Sequence, residues 1–383
     1  MSRFRTSEFL RQFAKTNFKG FRPADFRNAG RPASPLIVTP NFGSNPGRLK
    51  MYSYVPAGLP NPAPLVVVLH GCTQTAAGYD VGAGWSTLAE RYGFAVLMPE
   101  QQQTNNANLC FSWFNPEDCT RNQGEACSIR QMIARLAKDH DIDSGNIFVT
   151  GLSAGGAMTS VMLATYPEVF AGGAIIAGLP FGVASNVEEA LTGMRQTPSL
   201  TPGELGDMVR AASPHNGPWP KVSVWHGRSD FTVNPSNALA IVQQWLDVHG
   251  LPLTPMSRNK IDGHDHAIWW NGDGETIVES YDIASMAHGA PLGTGESNEF
   301  FGMAGPYLID AGISSSYHIA RFFGLTDKVH RARPAEQLFP SLNVPAGSQA
   351  KSESQEGFSG RFSKIDVNEI ITKALTSAGL MRK

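Results

Sequence analysis

The sequence lacks the features that would assign the chain to a membrane or nucleic-acid class. No apolar stretch in the 383 residues approaches the roughly 20 residues that a helix needs to cross a bilayer. The charges nearly cancel, with a formal net charge of −2, so the composition gives no reason to expect a nucleic-acid partner. The proportions of hydrophobic residues (42%) and charged residues (17%) are instead typical of a soluble globular protein.

Cysteine is scarce, and its spacing excludes the common zinc patterns. The four cysteines all lie in the first third of the chain, at Cys72, Cys110, Cys119 and Cys127. No two of them form a Cys-x2-Cys pair, so we expect no metal at these residues. An even number of clustered cysteines suits disulfides in an oxidising compartment.

We expect no cleaved secretory signal peptide in the first residues of the sequence. The segment MSRFRTSEFLRQFAKTNFKG has a basic start, but polar residues interrupt its apolar ones. We therefore favour a cytoplasmic location, with secretion by another route as the alternative. The segment is typical of a short basic amphipathic helix. Its apolar face either packs on the domain or adsorbs to a membrane or a hydrophobic polymer surface.

Apolar, β-branched runs alternate with helical patterns along the middle of the chain. The runs lie at 48–56, 64–71, 93–100, 146–151, 171–178, 221–227 and 276–284. Strands that alternate with helices of this length predict an α/β fold, a mostly parallel sheet with helices on both faces. A small helical insertion is predicted near 180–220.

The same patterns divide the chain into four segments. Residues 1–45 hold the basic helix and an extended lead-in, and residues 46–326 form the main domain. A polar linker is predicted at 327–365 and a helix at 366–383.

Ser153 is the candidate nucleophile. It lies in VTGLSAGGAMT (149–159), between the strand at 146–151 and a run of small residues that begins a helix. A sharp strand–turn–helix of this kind exposes the serine hydroxyl, and glycines at 151 and 155 avoid a collision with the crossing backbone. The context therefore favours a nucleophile over a small residue in an ordinary turn.

A serine hydroxyl needs a base, and the base needs a carboxylate to orient it. Asp230 follows the strand at 221–225 on a short loop and is the candidate acid, while His226 is expected to pack or to hydrogen-bond that loop. His288 follows the last strand in SMAHG and is the candidate base, with His266 as the fallback. His264 and His266 stand two apart in a polar hairpin or loop, so a metal pair is a weaker alternative for them.

The oxyanion of an attacked ester needs two backbone donors. Ala154 follows the serine at the start of a helix and supplies one N–H. The loop LHGCTQTAAG (69–78) supplies the other, and we assign it to Cys72. Cys72 and Cys110 both flank this predicted site, so we expect them to form a disulfide.

Several blocks of the sequence, in order, resemble the polyhydroxybutyrate depolymerase-type esterases, which grade into feruloyl and acetylxylan esterases. The blocks are LHGCTQTAAGYD, CFSWF, GLSAGGAMTSVMLATYPEVFAGGAIIAGLPFG, AASPHNGPWPKVSVWHGRSDFTVNPSNA, MAHGAPL and GISSSYHIARFFGL. The resemblance covers roughly residues 50–325. It implies an α/β-hydrolase fold, no cofactor, and a triad of Ser153, Asp230 and His288.

The resemblance also implies a substrate class and candidate contacts. We expect a serine carboxylic-ester hydrolase acting on polyhydroxyalkanoate, another polyester or hydroxyacyl oligomers, with His70, Gln74 and Trp113 as substrate-binding residues. A feruloyl or acetylxylan esterase is the nearest alternative. A non-catalytic protein that binds polymer granules on a hydrolase scaffold is the alternative of another class.

Overall fold

The apolar run at 64–71 forms β3 (Ala63–Leu69), an interior strand of a ten-stranded sheet. Leu65, Val67 and Leu69 pack in the apolar cluster on one face of the sheet, and Val66 and Val68 pack in the cluster on the other. Burial on both faces is what a continuous apolar run predicts for a parallel strand. This computed structural model describes residues 33–330 except Pro198, Gly295, Glu296, Asn298 and Lys328.

The remaining described strands are β1 (Ile37–Thr39), β2 (Lys50–Tyr54), β4 (Ala95–Glu100), β5 (Ile142–Leu152), β6 (Gly172–Ile176), β7 (Lys221–Gly227), β8 (Ser257–Ile261), β9 (His264–Trp270), β10 (Thr276–Ile283), β11 (Ala290–Leu292) and β12 (Leu308–Asp310). The main sheet has the order β1-β2-β4-β3-β5-β6-β7-β10-β9-β8. Neighbours from β4 to β10 in this order are parallel, and the pairs outside them are antiparallel. Strands β11 and β12 pair separately.

The described helices are α1 (Ala76–Ala83), α2 (Trp85–Tyr92), α3 (Pro116–Cys119), α4 (Gly124–Asp139), α5 (Ala154–Thr165), α6 (Val187–Arg195), α7 (Pro202–Ala211), α8 (Ser236–Val248) and α9 (Ser315–Phe322), with a 3-10 turn at Pro167–Val169. Side chains of α4, α5 and α8 pack in one of the two apolar clusters, and those of α1, α2 and α9 pack in the other. The predicted α/β architecture is thus confirmed, including the insertion near 180–220, which supplies α6 and α7.

The edge beyond β10 agrees with the polar hairpin or loop that the sequence analysis expects there. The polar stretch around His264 and His266 is a regular antiparallel hairpin of β8 and β9. Both histidines are buried on the same side of β9. The basic helix predicted near the N-terminus and the helix at 366–383 lie outside the described residues. The linker at 327–365 also lies outside them, apart from its first few residues.

Candidate active site

Ser153 lies in a strained turn between β5 and α5. Its backbone has φ 58° and ψ −117°, a conformation that a residue with a side chain adopts only when its surroundings impose it. A Cβ atom at Gly151 would lie 2.4 Å from the Gly155 carbonyl oxygen, and one at Gly155 would lie 2.3 Å from that of Leu69. The two glycines therefore permit the close crossing that the sequence predicts, and the turn ends with the serine at the N-terminus of α5.

The structure brings Ser153, His288 and Asp230 together, although they are far apart in the chain. The Ser153 hydroxyl lies 2.8 Å from His288 Nε2, and His288 Nδ1 lies 2.7 Å from Asp230 Oδ2. Because a carboxylate can only accept, His288 Nδ1 carries the proton, and Nε2 is then free to accept from the serine. This is the arrangement in which an imidazole can remove the proton from a serine hydroxyl.

Asp230 is held as a buried carboxylate. Its Oδ1 accepts from the backbone N–H groups of Thr232 (2.8 Å) and Val233 (2.9 Å). Burial raises the pKa of Asp230, but hydrogen bonds from His226 and His288 outweigh that effect and hold the pKa below its ordinary value. The carboxylate therefore stays charged where the imidazole needs a stabilising partner.

Backbone hydrogen bonds join the loops that carry the acid and the histidine. Arg228 N–H donates to the carbonyl oxygen of Ile283 (2.9 Å), and Ser229 N–H donates to that of Met286 (3.0 Å). The ring of Tyr307 lies edge-on to His288 with centroids 6.1 Å apart. These contacts fix His288, which is 9% exposed, at the end of a rigid sheet.

The loop after β3 presents the backbone N–H group of Cys72 without a protein acceptor in the described part of the chain. Gly71 N–H donates to Gln74 Oε1 (2.8 Å), and Thr73 N–H donates to the Asn108 carbonyl oxygen (2.6 Å). Cys72 N–H has no acceptor among the described residues. Ala154 begins α5, so its N–H has no acceptor within the helix. These two N–H groups are the ones the sequence analysis assigns to the oxyanion, and that role stays a prediction.

Two of the three predicted substrate contacts have other partners in the structure. His70 has no exposed surface; its Nδ1 donates to the Gly71 carbonyl oxygen (2.8 Å), and its Nε2 accepts from Gln101 N–H (3.2 Å). The expectation for His70 is corrected, because a ring enclosed by backbone shapes the loop and cannot touch a substrate. Gln74, 7% exposed, likewise holds Gly71 through its side chain.

Trp113, the third predicted substrate contact, is half-buried. It belongs to an apolar cluster, here called the apolar wall, that comprises Trp113, Ala157, Leu179, Val183, Met194 and Val233. Ala157 follows Ser153 by one helical turn, and Val233 follows Asp230 by three residues. The wall therefore lies near the proposed triad, and a substrate contact by Trp113 stays a prediction.

The insertion is bound to the loop that carries the acid. Asn234 N–H donates to the Met194 carbonyl oxygen (2.7 Å), and Asn237 Nδ2 donates to that of Gly193 (3.0 Å). Both acceptors lie in the last turn of α6, whose carbonyl groups lack helical partners. The insertion thus contributes Val183 and Met194 to the apolar wall from a fixed position.

The fallback histidine and the suggested metal pair are engaged elsewhere. His266 Nε2 lies 2.8 Å from Glu279, and its Nδ1 lies 2.9 Å from Asn259 Oδ1. His264 Nε2 donates to the Ala311 carbonyl oxygen, and its Nδ1 accepts from Ala284 N–H. With all four ring nitrogens bonded to protein groups, these histidines are not arranged as a metal pair.

One other group among the described residues has the composition of a metal site. Ligand atoms of Asp262, Glu299 and His318 all lie within 4.8 Å of one another. His318 Nε2 is already 3.1 Å from Asp262 Oδ2, and both carboxylates are exposed. None of the three contacts the groups around Ser153.

The predicted disulfide between Cys72 and Cys110 is confirmed. It joins the loop of the Cys72 N–H group to the segment that leads to Trp113. Closing a 38-residue loop in the unfolded chain is worth about 4 kcal/mol in the entropic model.

We expect Cys110→Ser to lower the free energy of unfolding by about 2–4 kcal/mol and to reduce kcat/KM, because the loop of Cys72 loses its anchor. Urea denaturation and ester assays measure both effects. Cys127→Ser is the matched control, since Cys127 is a free, half-buried thiol. Equal stability and activity in the two variants would contradict this role for the disulfide.

Glu125 is a buried carboxyl group behind the same segment. It is 1% exposed and accepts from Gln101 Nε2 (2.6 Å) and Ser112 N–H (2.8 Å). Burial, together with the nearby Asp118 carboxylate, raises the pKa of Glu125 from 4.5 to about 7. Between these values the unfolded chain releases its proton while the folded chain retains it, so stability falls as the pH rises through this range.

We expect the stability of Glu125→Gln not to fall in this way, because the glutamine side chain stays neutral at every pH in this range. Relative to the wild type, the free energy of unfolding of the variant rises by about 3 kcal/mol between pH 4.5 and pH 8. Urea denaturation at the two pH values measures the difference, with exposed Glu117→Gln as control. A difference that does not change with pH would show that Glu125 does not titrate in this range.

Comparison with known proteins assigns the family. The model of the family described as Esterase PHB depolymerase matches residues 49–262. Poly(3-hydroxyalkanoate) depolymerase C of Paucimonas lemoignei is 48% identical over 291 residues, which are 76% of this chain and 70% of that protein. An acetylxylan esterase of Coprinopsis cinerea is 33% identical, over 71% of this chain and 74% of that protein.

A solved structure agrees with this assignment. The acetyl xylan esterase from Aspergillus awamori superposes with a TM-score of 0.63 and 26% identity, over 76% of this chain and 99% of that one. The α/β-hydrolase fold expected from the sequence is thereby confirmed. The chain belongs to the Esterase PHB depolymerase family and is a carboxylic ester hydrolase.

Proposed function

We propose that the chain hydrolyses esters through an acyl-enzyme on Ser153, with His288 as the base and Asp230 as the acid that orients it. The observation that carries this proposal is the pair of hydrogen bonds that links the three side chains in series. The strained backbone of Ser153 supports it, because strain of this kind is concentrated at functional residues.

In the first step, Ser153 Oγ attacks the ester carbonyl while its proton moves to His288 Nε2. The N–H groups of Ala154 and Cys72 stabilise the oxyanion, and Asp230 stabilises the imidazolium. The imidazolium then protonates the leaving alkoxide as the ester C–O bond breaks. In the second step, His288 takes a proton from water, the hydroxide attacks the acyl carbon, and Ser153 leaves with the proton restored.

We propose aliphatic polyester, or its hydroxyacyl oligomers, as the substrate. The 48% identity to a protein named Poly(3-hydroxyalkanoate) depolymerase C supports this class over the acetylxylan esterases, whose identity is lower. The apolar wall supports it as well, because it offers hydrocarbon rather than hydrogen-bonding groups to the acyl chain. A feruloyl or acetylxylan substrate is the alternative, favoured by the structural likeness to an acetyl xylan esterase.

A parallel hydrolysis assay tests this proposal. The substrates are 3-hydroxybutyrate oligomers, amorphous polyhydroxybutyrate, methyl ferulate, acetylated xylan and short p-nitrophenyl esters, each with wild-type protein and Ser153→Ala. We expect the highest Ser153-dependent kcat/KM on the hydroxybutyrate oligomers. A higher Ser153-dependent kcat/KM on ferulate or acetylated xylan would contradict the proposed substrate class but agree with the proposed mechanism.

For the cellular location, we propose an oxidising compartment in place of the cytoplasm that the sequence analysis favours. The Cys72–Cys110 bond supports this choice, because such bonds are rare where thiols are kept reduced. Among the described residues, no helix has the length and apolar character needed to cross a bilayer. A titration of thiols in denatured, unreduced protein isolated from its native cells tests the compartment: two thiols are expected, and four would contradict it.

A further inference from the structure

A second imidazole contacts the carboxylate of Asp230. His226, near the end of β7, is 3% exposed, and its Nε2 lies 3.2 Å from Asp230 Oδ2 and 3.0 Å from the Val233 carbonyl oxygen. The carboxylate oxygen Oδ2 therefore lies between two rings, those of His226 and His288.

The hydrogen-bond partners fix the protonation of His226. The Val233 carbonyl oxygen can only accept, so His226 Nε2 carries a proton. His226 Nδ1 is buried and has no partner among the described residues. A proton on Nδ1 would place an unpaired donor and a positive charge in the interior, which is costly. The ring is therefore neutral, and its one N–H group is shared by Val233 and Asp230.

We infer that His226 is a positioning residue for the proposed reaction: its N–H group holds Oδ2 of Asp230 toward His288. The inference rests on the proposed roles of Asp230 and His288. The backbone donors of Thr232 and Val233 bind only Oδ1 of Asp230, so they do not fix the position of Oδ2. The His226 contact fixes that position.

The contact also has an electronic consequence. Without the neutral donor, the carboxylate would attract protons more strongly and stabilise the His288 imidazolium more strongly. The activity of a variant without this donor should therefore begin to fall at a higher pH than that of the wild type as the pH is lowered. His226 is the side chain that faces Asp230 beside His288 itself. Ser153 and the ring edge of Tyr307 face His288.

The test compares His226→Met with His226→Gln, which have similar length and volume. The amide nitrogen of glutamine can occupy the position of Nε2 and donate, whereas methionine cannot. We expect His226→Met to lower kcat/KM about 10- to 100-fold, the range for a lost hydrogen bond to a charged group, and to move the acidic limb of its pH profile to higher pH. His226→Gln should stay within a few fold of the wild type with an unmoved limb.

Controls separate this inference from the proposed function. Asp230→Asn is measured alongside, together with the thermal midpoint of each variant. If Asp230→Asn is inactive while His226→Met keeps wild-type kcat/KM and pH profile, the inference alone is overturned. Equal losses in both His226 variants with unmoved pH limbs also overturn it, since they indicate packing only. Full activity of Asp230→Asn overturns the proposed function, and the inference with it.

Discussion

Replacing Ser153 with alanine is expected to abolish ester hydrolysis, with kcat/KM falling by about 10^4-fold or more. The variant loses the only atom that forms a bond to the substrate in the proposed mechanism, and His288 loses the proton it would remove. The fold should be retained, because alanine is smaller than serine and the turn at Ser153 depends on backbone contacts. Hydrolysis of p-nitrophenyl esters and the thermal midpoint measure the two effects.

Ser160→Ala is the matched control for this variant. Ser160 lies on α5, the helix that begins directly after Ser153, and its buried hydroxyl donates to the Leu179 carbonyl oxygen (2.8 Å). Its loss should cost about 1 kcal/mol of stability and leave kcat/KM within a few fold. Substantial turnover by Ser153→Ala would place the nucleophile elsewhere.

Replacing His288 with alanine should be nearly as damaging, by about 10^4-fold in kcat/KM. Without the imidazole, the serine proton has no acceptor, and Asp230 retains its charge with only His226 and two backbone donors beside it. Activity should recover in part at high pH, where hydroxide replaces the missing base. A pH series of kcat/KM for wild type and variant measures this effect.

His266→Ala is the contrasting variant, because the sequence analysis keeps His266 as the fallback base. Its removal leaves the buried Glu279 carboxylate with Ser223 as its remaining hydrogen-bond partner, which should cost several kcal/mol of stability. The catalytic steps should be unaffected in the fraction that stays folded, so the rate per titrated active site should match the wild type. The reverse pattern, an active His288→Ala and a folded but inactive His266→Ala, would show that the base is misassigned.

Most of the sheet and the turn at Ser153 could be predicted from local sequence, and the other two members of the proposed triad from their places after late strands. Apolar runs such as 64–71 and 221–227 are long and rich in β-branched residues, and each ends near glycine at the edge where the site lies. The glycines around Ser153 predict a close crossing of two backbone segments, because only residues without a side chain fit there. Both signals depend on neighbouring residues, which a sequence shows directly.

The errors arise where contacts join distant segments. His70 follows a strand just as Ser153 does, but Gln101 and Phe111 enclose its ring from another part of the chain. His226 hydrogen-bonds its own loop through the Val233 carbonyl oxygen, as the sequence analysis expects, and its contact with Asp230 follows from the way this loop folds. The environment of His70, in contrast, is not encoded in any short window of sequence.

The most direct measurement is the mapping of a fluorophosphonate adduct on the intact protein. Only an activated serine reacts, and the reagent forms a stable bond to its oxygen. We predict one equivalent per chain, found by mass spectrometry on Ser153, with labelling lost in Ser153→Ala and strongly slowed in His288→Ala. An adduct on another residue, or none on a protein that hydrolyses esters, would contradict the proposed mechanism.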